Sequence, residues 1–494
     1  MKKATKENTF SIEKMQTGIP GFDEICYGGL AVGKTTLVSG TAGSGKTILA
    51  CQFIYKGVEE FNERGVFISF EEKALDLKKN MLQFRWDFEA MEKNKKVYFI
   101  DASISADHST QIVGSYDLEG LLSRIEGAIT AIKPRRVVLD SIGSLFYQFQ
   151  DSTIIRNELF KLVSFLNSKG VTTVITSERL QDYGNVSRFG VEEYIADHVI
   201  ILRNILEKDK RRRTLEILKY RGSDHKRGEQ PFIINADQGI VVMPVSTLEL
   251  KQKSSGKRVS SGNARLDDMC GGGFFRDSVI LVSGATGTGK TLMVAEFIRG
   301  GFKNNEKVML LAFEESEEQM IRNATGWGVD LVEMKKKGLL MISAEYPETN
   351  GMEDHLYRIK QLVEEFKPNR IAIDSLSAIE RGSSTDSFRA FIIALTSFLK
   401  KKEITSFLTS TSSKIFGENS VTQAHISTIT DSIILLRYTE VMGKIYRVIT
   451  ILKMRGSAHD KDIFEFTIDE NGMNIQNVVF RNVSGILGGT AKSS

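Results

Sequence analysis

A nine-residue pattern occurs twice in this chain, and few folds can carry it. The first copy is Ser-Gly-Thr-Ala-Gly-Ser-Gly-Lys-Thr, from Ser39 to Thr47; the second is Ser-Gly-Ala-Thr-Gly-Thr-Gly-Lys-Thr, from Ser283 to Thr291. Each satisfies G-x-x-x-x-G-K-[ST], the P-loop, whose glycines let backbone N–H groups turn inward around phosphate oxygens that a Cβ would obstruct. Gly43, Ser44 and Gly45 form one cradle, and Gly287, Thr288 and Gly289 the other. Lys46 and Lys290 then reach the β- and γ-phosphates of ATP, and the hydroxyls of Thr47 and Thr291 hold Mg2+. The helix that must follow adds the positive end of its dipole.

The flanking residues fit. Thr36–Val38 and Val279–Val282 are apolar runs of the buried-strand type. Ile48, Leu49 and Phe53, and again Leu292, Val294, Phe297 and Ile298, recur at helical spacing. A single match can be a chance glycine-rich turn; two in the same strand, loop and helix setting are not. Gly33-Lys34-Thr35 also spells G-K-T, with Gly28 at the upstream glycine position, but the residues between do not read as a free loop and it reads as a decoy.

The duplication extends far beyond the loops. Lys46 and Lys290 are 244 positions apart, and so are Cys26 and Cys270. Phe70-Glu71-Glu72 returns as Phe313-Glu314-Glu315, and Trp86 as Trp327, the only other tryptophan. Asp140-Ser141 returns as Asp374-Ser375, and Lys219-Tyr220-Arg221-Gly222 as Lys453-Met454-Arg455-Gly456, both at an offset of 234. The shrinking offset is loop deletion in the second copy. A unit this long folds by itself, unlike a solenoid repeat. The expected organisation is a first domain over 1–250, a polar linker over 251–257 and a second domain over 258–494.

Within each copy, β-branched runs alternate with helical patterns. Val97–Ile100, Arg136–Leu139, Thr172–Ile175 and Val199–Leu202 read as strands and Leu118–Ile132 as an amphipathic helix. The fold class is therefore α/β, a mostly parallel sheet flanked by helices in each of two tandem domains. Leu215–Lys219 alternates and suits an antiparallel addition.

Composition excludes several classes. Of 494 residues, 26% are charged and 41% apolar, the balance of an ordinary soluble chain. A net charge of +4 is too small for a broadly basic nucleic-acid surface. Three cysteines at no metal-like spacing read as thiols of a reducing compartment. With no leader-like apolar stretch and no membrane-length run, the expected location is the cytoplasm.

Carboxylates and cations complete the candidate sites. Asp140 and Asp374 close apolar strands, where a carboxylate can hold Mg2+ beside the P-loop threonine. Glu71, Glu72, Glu314 and Glu315 also close strands, and a glutamate there can polarise an attacking nucleophile. Lys219 with Arg221, and Lys453 with Arg455, face the same way at i, i+2 and suit the charge that develops on a γ-phosphate. Trp86 and Trp327 fit either stacking on adenine or a place in a core; Trp327 is the one carried as a nucleotide-binding candidate.

Cys270–Phe275, His425–Asp431 and the duplicated Phe-Glu-Glu resemble the KaiC family of circadian clock proteins, over nearly the whole chain, from about Met15 to Arg481. The resemblance implies two RecA-like ATPase domains stacked as tiers of an ATP-dependent homohexamer. It implies that the first tier hydrolyses ATP with Glu71 and Glu72. The second phosphorylates and dephosphorylates itself, using Glu314 and Glu315, with Glu314 also at the metal. Lys219, Arg221, Lys453 and Arg455 would act across the subunit interface. Ser427 and Thr428 would be phosphoacceptors, with Arg381 and Arg389 nearby. The repeat supports this asymmetry, because Glu193 and Tyr194 stand opposite Ser427 and Thr428 in the first copy.

Two departures from the family bear on partners. The chain stops at Ser494, soon after Gly485, where a longer family tail binds the activator KaiA, so KaiA binding is not expected. Gln423 follows Thr422 where the clock protein typically has Asp, which bears on the balance of kinase and phosphatase. The loop over 111–117 is similar to the segment near the KaiB site, so a KaiB-like protein is an expected partner. The competing reading is a RecA- or DnaB-like motor on nucleic acid. It has only the basic run Lys208–Arg213 to support it, and that run has no counterpart in the second copy. A scaffold that binds ATP without turnover is disfavoured by the two intact glutamate pairs.

Overall fold

The computed structural model describes residues 12–103, 118–146, 152–244, 255–347, 350–411, 426, 428–441 and 443–479. The chain divides into two compact units that meet at Val245 and Ser246. The expected linker begins five residues later, and its first four residues lie outside the described ones.

Each unit is built on a nine-stranded sheet with the same strand order. In the first, the P-loop strand Thr35–Gly40 lies between Thr172–Glu178 and His198–Glu207, parallel to both. Arg136–Asp140, Gly65–Ser69 and Val97–Asp101 extend the parallel part on one side. On the other side the sheet turns antiparallel through Lys210–Tyr220, Gln230–Asn235 and Gly239–Val242. In the second unit Val279–Gly284 has the central place, between Thr405–Thr411 and Ser432–Val441. Arg370–Asp374, Val308–Ala312 and Leu340–Ala344 follow on the parallel side, and Lys444–Met454, Phe464–Asp469 and Gly472–Val479 on the antiparallel side. These are tandem RecA-like P-loop domains. The strands expected from sequence are present, and Lys210–Tyr220 is the antiparallel addition. Its pairing with His198–Glu207 makes Lys208 and Asp209 of the basic run a hairpin turn and puts Lys210–Arg213 in the strand.

Successive residues of a strand face opposite sides of the sheet, so a strand buried throughout needs cover on both. Leu37 packs into one apolar layer, with the helices Leu118–Ile132 and Ser152–Ser168. Val38 packs into the other, with the helix Lys46–Phe61. Two buried arginines pin the start of the strands that end in Asp140 and Asp374. Arg136 pairs with Glu63 at 2.7 Å and donates to the carbonyls of Phe53, Thr17 and Gln16. Arg370 pairs with Glu306 at 2.5 Å and donates to the carbonyl of Ser260. The sequence reading missed both, although they share one repeat position.

Candidate functional site

Every parallel strand ends at the same edge of its sheet, and the candidate chemistry collects there. In each unit the P-loop runs from the central strand into the helix Lys46–Phe61 or Lys290–Lys303. The helix-preceding glycines Gly45 and Gly289 have φ of 97° and 105°, left-handed values that an L side chain rarely adopts. A Cβ on Gly45 would also stand 3.0 Å from Ile234. The lysines lie back along their loops: Lys46 Nζ donates to the Thr41 carbonyl at 3.0 Å, and Lys290 Nζ to those of Gly284 and Ala285, both at 2.9 Å. Burial lowers the pKa of both lysines, and carboxylates oppose the shift: Glu178, Asp140 and Glu71 in the first unit, Asp374 and Glu314 in the second.

Asp140 and Asp374 are the last residues of their strands and are buried. Thr291 Oγ1 donates to Asp374 Oδ2 at 2.7 Å, and Thr409 donates to the other oxygen. Thr47 and Thr176 bond Asp140 in the same way. Burial raises both carboxyl pKa values, which a dication beside them would reverse. Among the described residues no group of three or more His, Cys, Asp or Glu side chains is arranged as a metal site. Mg2+ that arrives on nucleotide phosphates needs only one or two protein oxygens. Each threonine–aspartate pair fits that demand, with Thr47 and Asp140 in the first unit and Thr291 and Asp374 in the second.

Glu71, Glu72, Glu314 and Glu315 follow the neighbouring strand ends. Burial, then Glu178 and Asp140, raises the pKa of Glu71. Burial also raises those of Glu72 and Glu315, against hydrogen bonds from Asn80 and Asn323. Glu314 differs from Glu71 in holding a cation: Arg381 Nη2 is 2.8 Å from its Oε1. Arg389 lies exposed on the helix Thr385–Lys401.

A cavity of about 530 Å3 opens beside the first P-loop, walled by Phe84, Arg213, Ile234 and Asn235. Arg213 comes from the basic run Lys208–Arg213; its place at the nucleotide cavity was not legible from its neighbours in sequence. Trp86 sits one layer behind, buried and stacked on Tyr55 and Phe84 at 5.3 and 4.8 Å between ring centroids. Trp327 packs half-buried against the core of the second unit.

The candidate finger residues stand at the opposite edge. Arg221 donates its N–H to the Asp197 carbonyl, and Asp197 in turn donates to Thr35. Arg221 is thus level with the start of the P-loop strand, five residues or roughly 16 Å from its end at Gly40. Arg455, Asp431 and Val279 repeat that arrangement. Lys219 Nζ donates to the carbonyls of Glu193 and Ala196 at 2.9 and 2.7 Å, and Lys453 Nζ to that of Thr430 at 2.8 Å. Arg455 Nη2 donates to the Thr428 carbonyl at 2.6 Å. Thr428 is therefore at the finger edge, whereas Ser427, Thr422, Gln423, the loop over 111–117 and the last residues of the chain lie outside the described residues.

A family model described as "ATPase: KaiC" matches residues 15–247 and again residues 259–478. The chain belongs to the KaiC family. The circadian clock protein KaiC3 of Synechocystis sp. is 56% identical over 484 residues, 98% of this chain and 95% of that protein. The circadian clock oscillator protein KaiC of Thermostichus vulcanus is 49% identical over 486 residues, 98% of this chain and 93% of its own length. That of Synechococcus elongatus is 50% identical over 480 residues, 97% and 92% of the two chains. The resemblance read from short motifs thus holds across both units, each of which is a KaiC-type ATPase domain. Among the described residues no helix is long and apolar enough to cross a membrane.

Proposed function

We propose that this KaiC-family chain assembles as an ATP-dependent homohexamer whose first unit hydrolyses ATP and whose second unit phosphorylates and dephosphorylates Ser427 and Thr428. One observation carries the reading: in each unit the P-loop and the cation pair lie at opposite ends of one sheet. A side chain cannot span that distance, so each nucleotide must take its cations from a neighbour. Such head-to-tail contacts close into rings.

In the first unit Glu71, with Glu72 beside it, takes a proton from the water that attacks the γ-phosphate; Lys46 and the neighbour's Lys219 and Arg221 meet the developing charge. Thr47 and Asp140 would hold Mg2+, which would supply further charge neutralisation. In the second unit Glu314 takes the proton of a hydroxyl presented by the neighbour's acceptor segment, and Lys290, Lys453 and Arg455 serve the phosphoryl group. Glu193 and Tyr194 occupy the acceptor positions of the first copy, which leaves water as the nucleophile there. A KaiB-like protein is the partner in keeping with the clock homologues. A nucleic-acid motor is not favoured, since Arg213 of the single basic run faces a nucleotide cavity.

Intact-mass spectrometry of the protein incubated with Mg·ATP tests the reading. One and two added phosphates are expected, mapping to Ser427 and Thr428, with none before Lys251. The Ser427→Ala, Thr428→Ala double variant should stay unmodified while still hydrolysing ATP. Phosphopeptides from the first unit, or undiminished labelling of the double variant, would overturn the assignment.

A further inference from the structure

The finger edges of the two units differ at one position that no repeated motif marks. Asp197 and Asp431 occupy equivalent places, and each accepts the N–H of the first residue of the P-loop strand, Thr35 at 3.2 Å and Val279 at 2.9 Å. Each also faces the finger arginine, Arg221 Nη1 at 3.7 Å and Arg455 Nη1 at 3.8 Å. What stands across the carboxylate is different. In the second unit Lys400, in the last turn of Thr385–Lys401, spans both oxygens of Asp431, 3.0 Å from Oδ1 and 2.7 Å from Oδ2. The first unit has Asn167 there, a neutral side chain whose Oδ1 accepts from the Thr35 hydroxyl at 3.1 Å.

We propose that Lys400 is a positioning residue for phosphoryl transfer in the second unit. By neutralising Asp431 it weakens that carboxylate's hold on Arg455, whose guanidinium lies against the acceptor segment, ready for a neighbour's γ-phosphate. The proposal rests on the trans-acting finger role given above to Arg455. One carboxylate cannot hold two cations equally well, and Lys400 has the closer contact. Arg455 accordingly directs its second nitrogen to the Thr428 carbonyl at 2.6 Å. Among the described residues no lysine forms an ion pair with Asp197, which faces Arg221 without that competitor. The arginine–carboxylate distances are alike in the two units, so the difference lies in charge and not in position. Exposed ion pairs are weak, so the expected change in rate is roughly two- to fivefold. It should shrink as salt screens the charges.

The test uses the full chain with Mg·ATP and follows phosphate incorporation by intact mass. Lys400→Asn should slow incorporation roughly two- to fivefold at low salt, with the gap closing at high salt, and Lys400→Arg should restore the rate. In an Arg455→Ala background Lys400→Asn should change nothing further. The reciprocal Asn167→Lys, in a chain whose second unit is silenced by Glu314→Gln and Glu315→Gln, should raise steady-state ATPase by a similar factor. An unchanged rate for Lys400→Asn, an equal slowing in the Arg455→Ala background, or no rise for Asn167→Lys would each overturn the proposal while leaving the finger role intact. Full-rate incorporation by Arg455→Ala alone would instead overturn the finger role.

Discussion

Under the proposed function, Glu71 is the residue whose surroundings bear most directly on rate. A general base must be ionised, and burial with Glu178 and Asp140 raises its pKa. The first-unit ATPase should therefore fall on the acid side at a higher pH than an ordinary glutamate would impose. Glu178→Gln removes the largest of the three carboxylate causes and should move that limb to lower pH. The pH profile of kcat/KM, in a chain silenced by Glu314→Gln and Glu315→Gln, measures this; an unmoved limb would mean that another group sets it. For stability the sign is the reverse of the usual carboxylate. A pKa raised in the folded chain favours the protonated form, so Glu71 supports folding at low pH and loses that contribution as pH rises through its folded pKa. Glu71→Gln should thus lower ATPase sharply yet leave the nucleotide-free first unit no less resistant to denaturant at neutral pH. Thermal and chemical denaturation would check it.

The elements that carry the site depend on contacts far from it. The strand Arg136–Asp140 delivers Asp140 at one end and is anchored by Arg136 at the other. Removing that guanidinium leaves Glu63 without its closest partner and strips donors from three carbonyls. Arg136→Ala should cost about 3–5 kcal/mol, read in the unfolding of the first unit. Arg370→Ala should do the same to the second. The short pairing of Lys14–Met15 with Leu30–Ala31 depends on a different device. Gly29 has φ 110°, and a Cβ there would stand 2.0 Å from the Met15 carbonyl. Gly273 repeats this against Val259, at 2.4 Å. Alanine at either position should destabilise by at least ~1–3 kcal/mol, as measured by a shift in denaturation midpoint. A midpoint unchanged by Gly29→Ala would show that the turn can relax.

At the scale of the whole molecule, the separation of P-loop and finger predicts complementation between inactive subunits. On the proposed roles Glu314→Gln lacks the base and Arg455→Ala the finger, and each alone should phosphorylate poorly. When the two are mixed and reassembled, roughly a quarter of the interfaces join an intact base to an intact finger. Phosphate incorporation should return in proportion to those interfaces. Mixed assemblies that stay silent, beside an active wild-type control, would place the finger in its own subunit. Light scattering with and without ATP tests the ring directly: hexamer is expected with nucleotide, and a monomer at micromolar protein would exclude it.

Much was legible in the sequence alone because it is local. The P-loop is a run of contiguous backbone whose glycines have no substitute, so Gly45, Lys46 and Thr47 declared their strand, turn and helix. Continuous apolar runs declared the parallel strands, and the fixed order of motifs declared two similar units. The tertiary structure decided what depends on neighbours distant in the chain. It sent Trp86 into the core and brought Phe84 and Arg213 to the cavity, since which face of a strand or turn meets a site follows from the sheet it joins. It buried Arg136 and Arg370, whose partners lie dozens of residues away. It also set Lys400 against Asp431 and Asn167 beside Thr35, a difference that no motif carries and that matters because charge acts through space rather than along the chain.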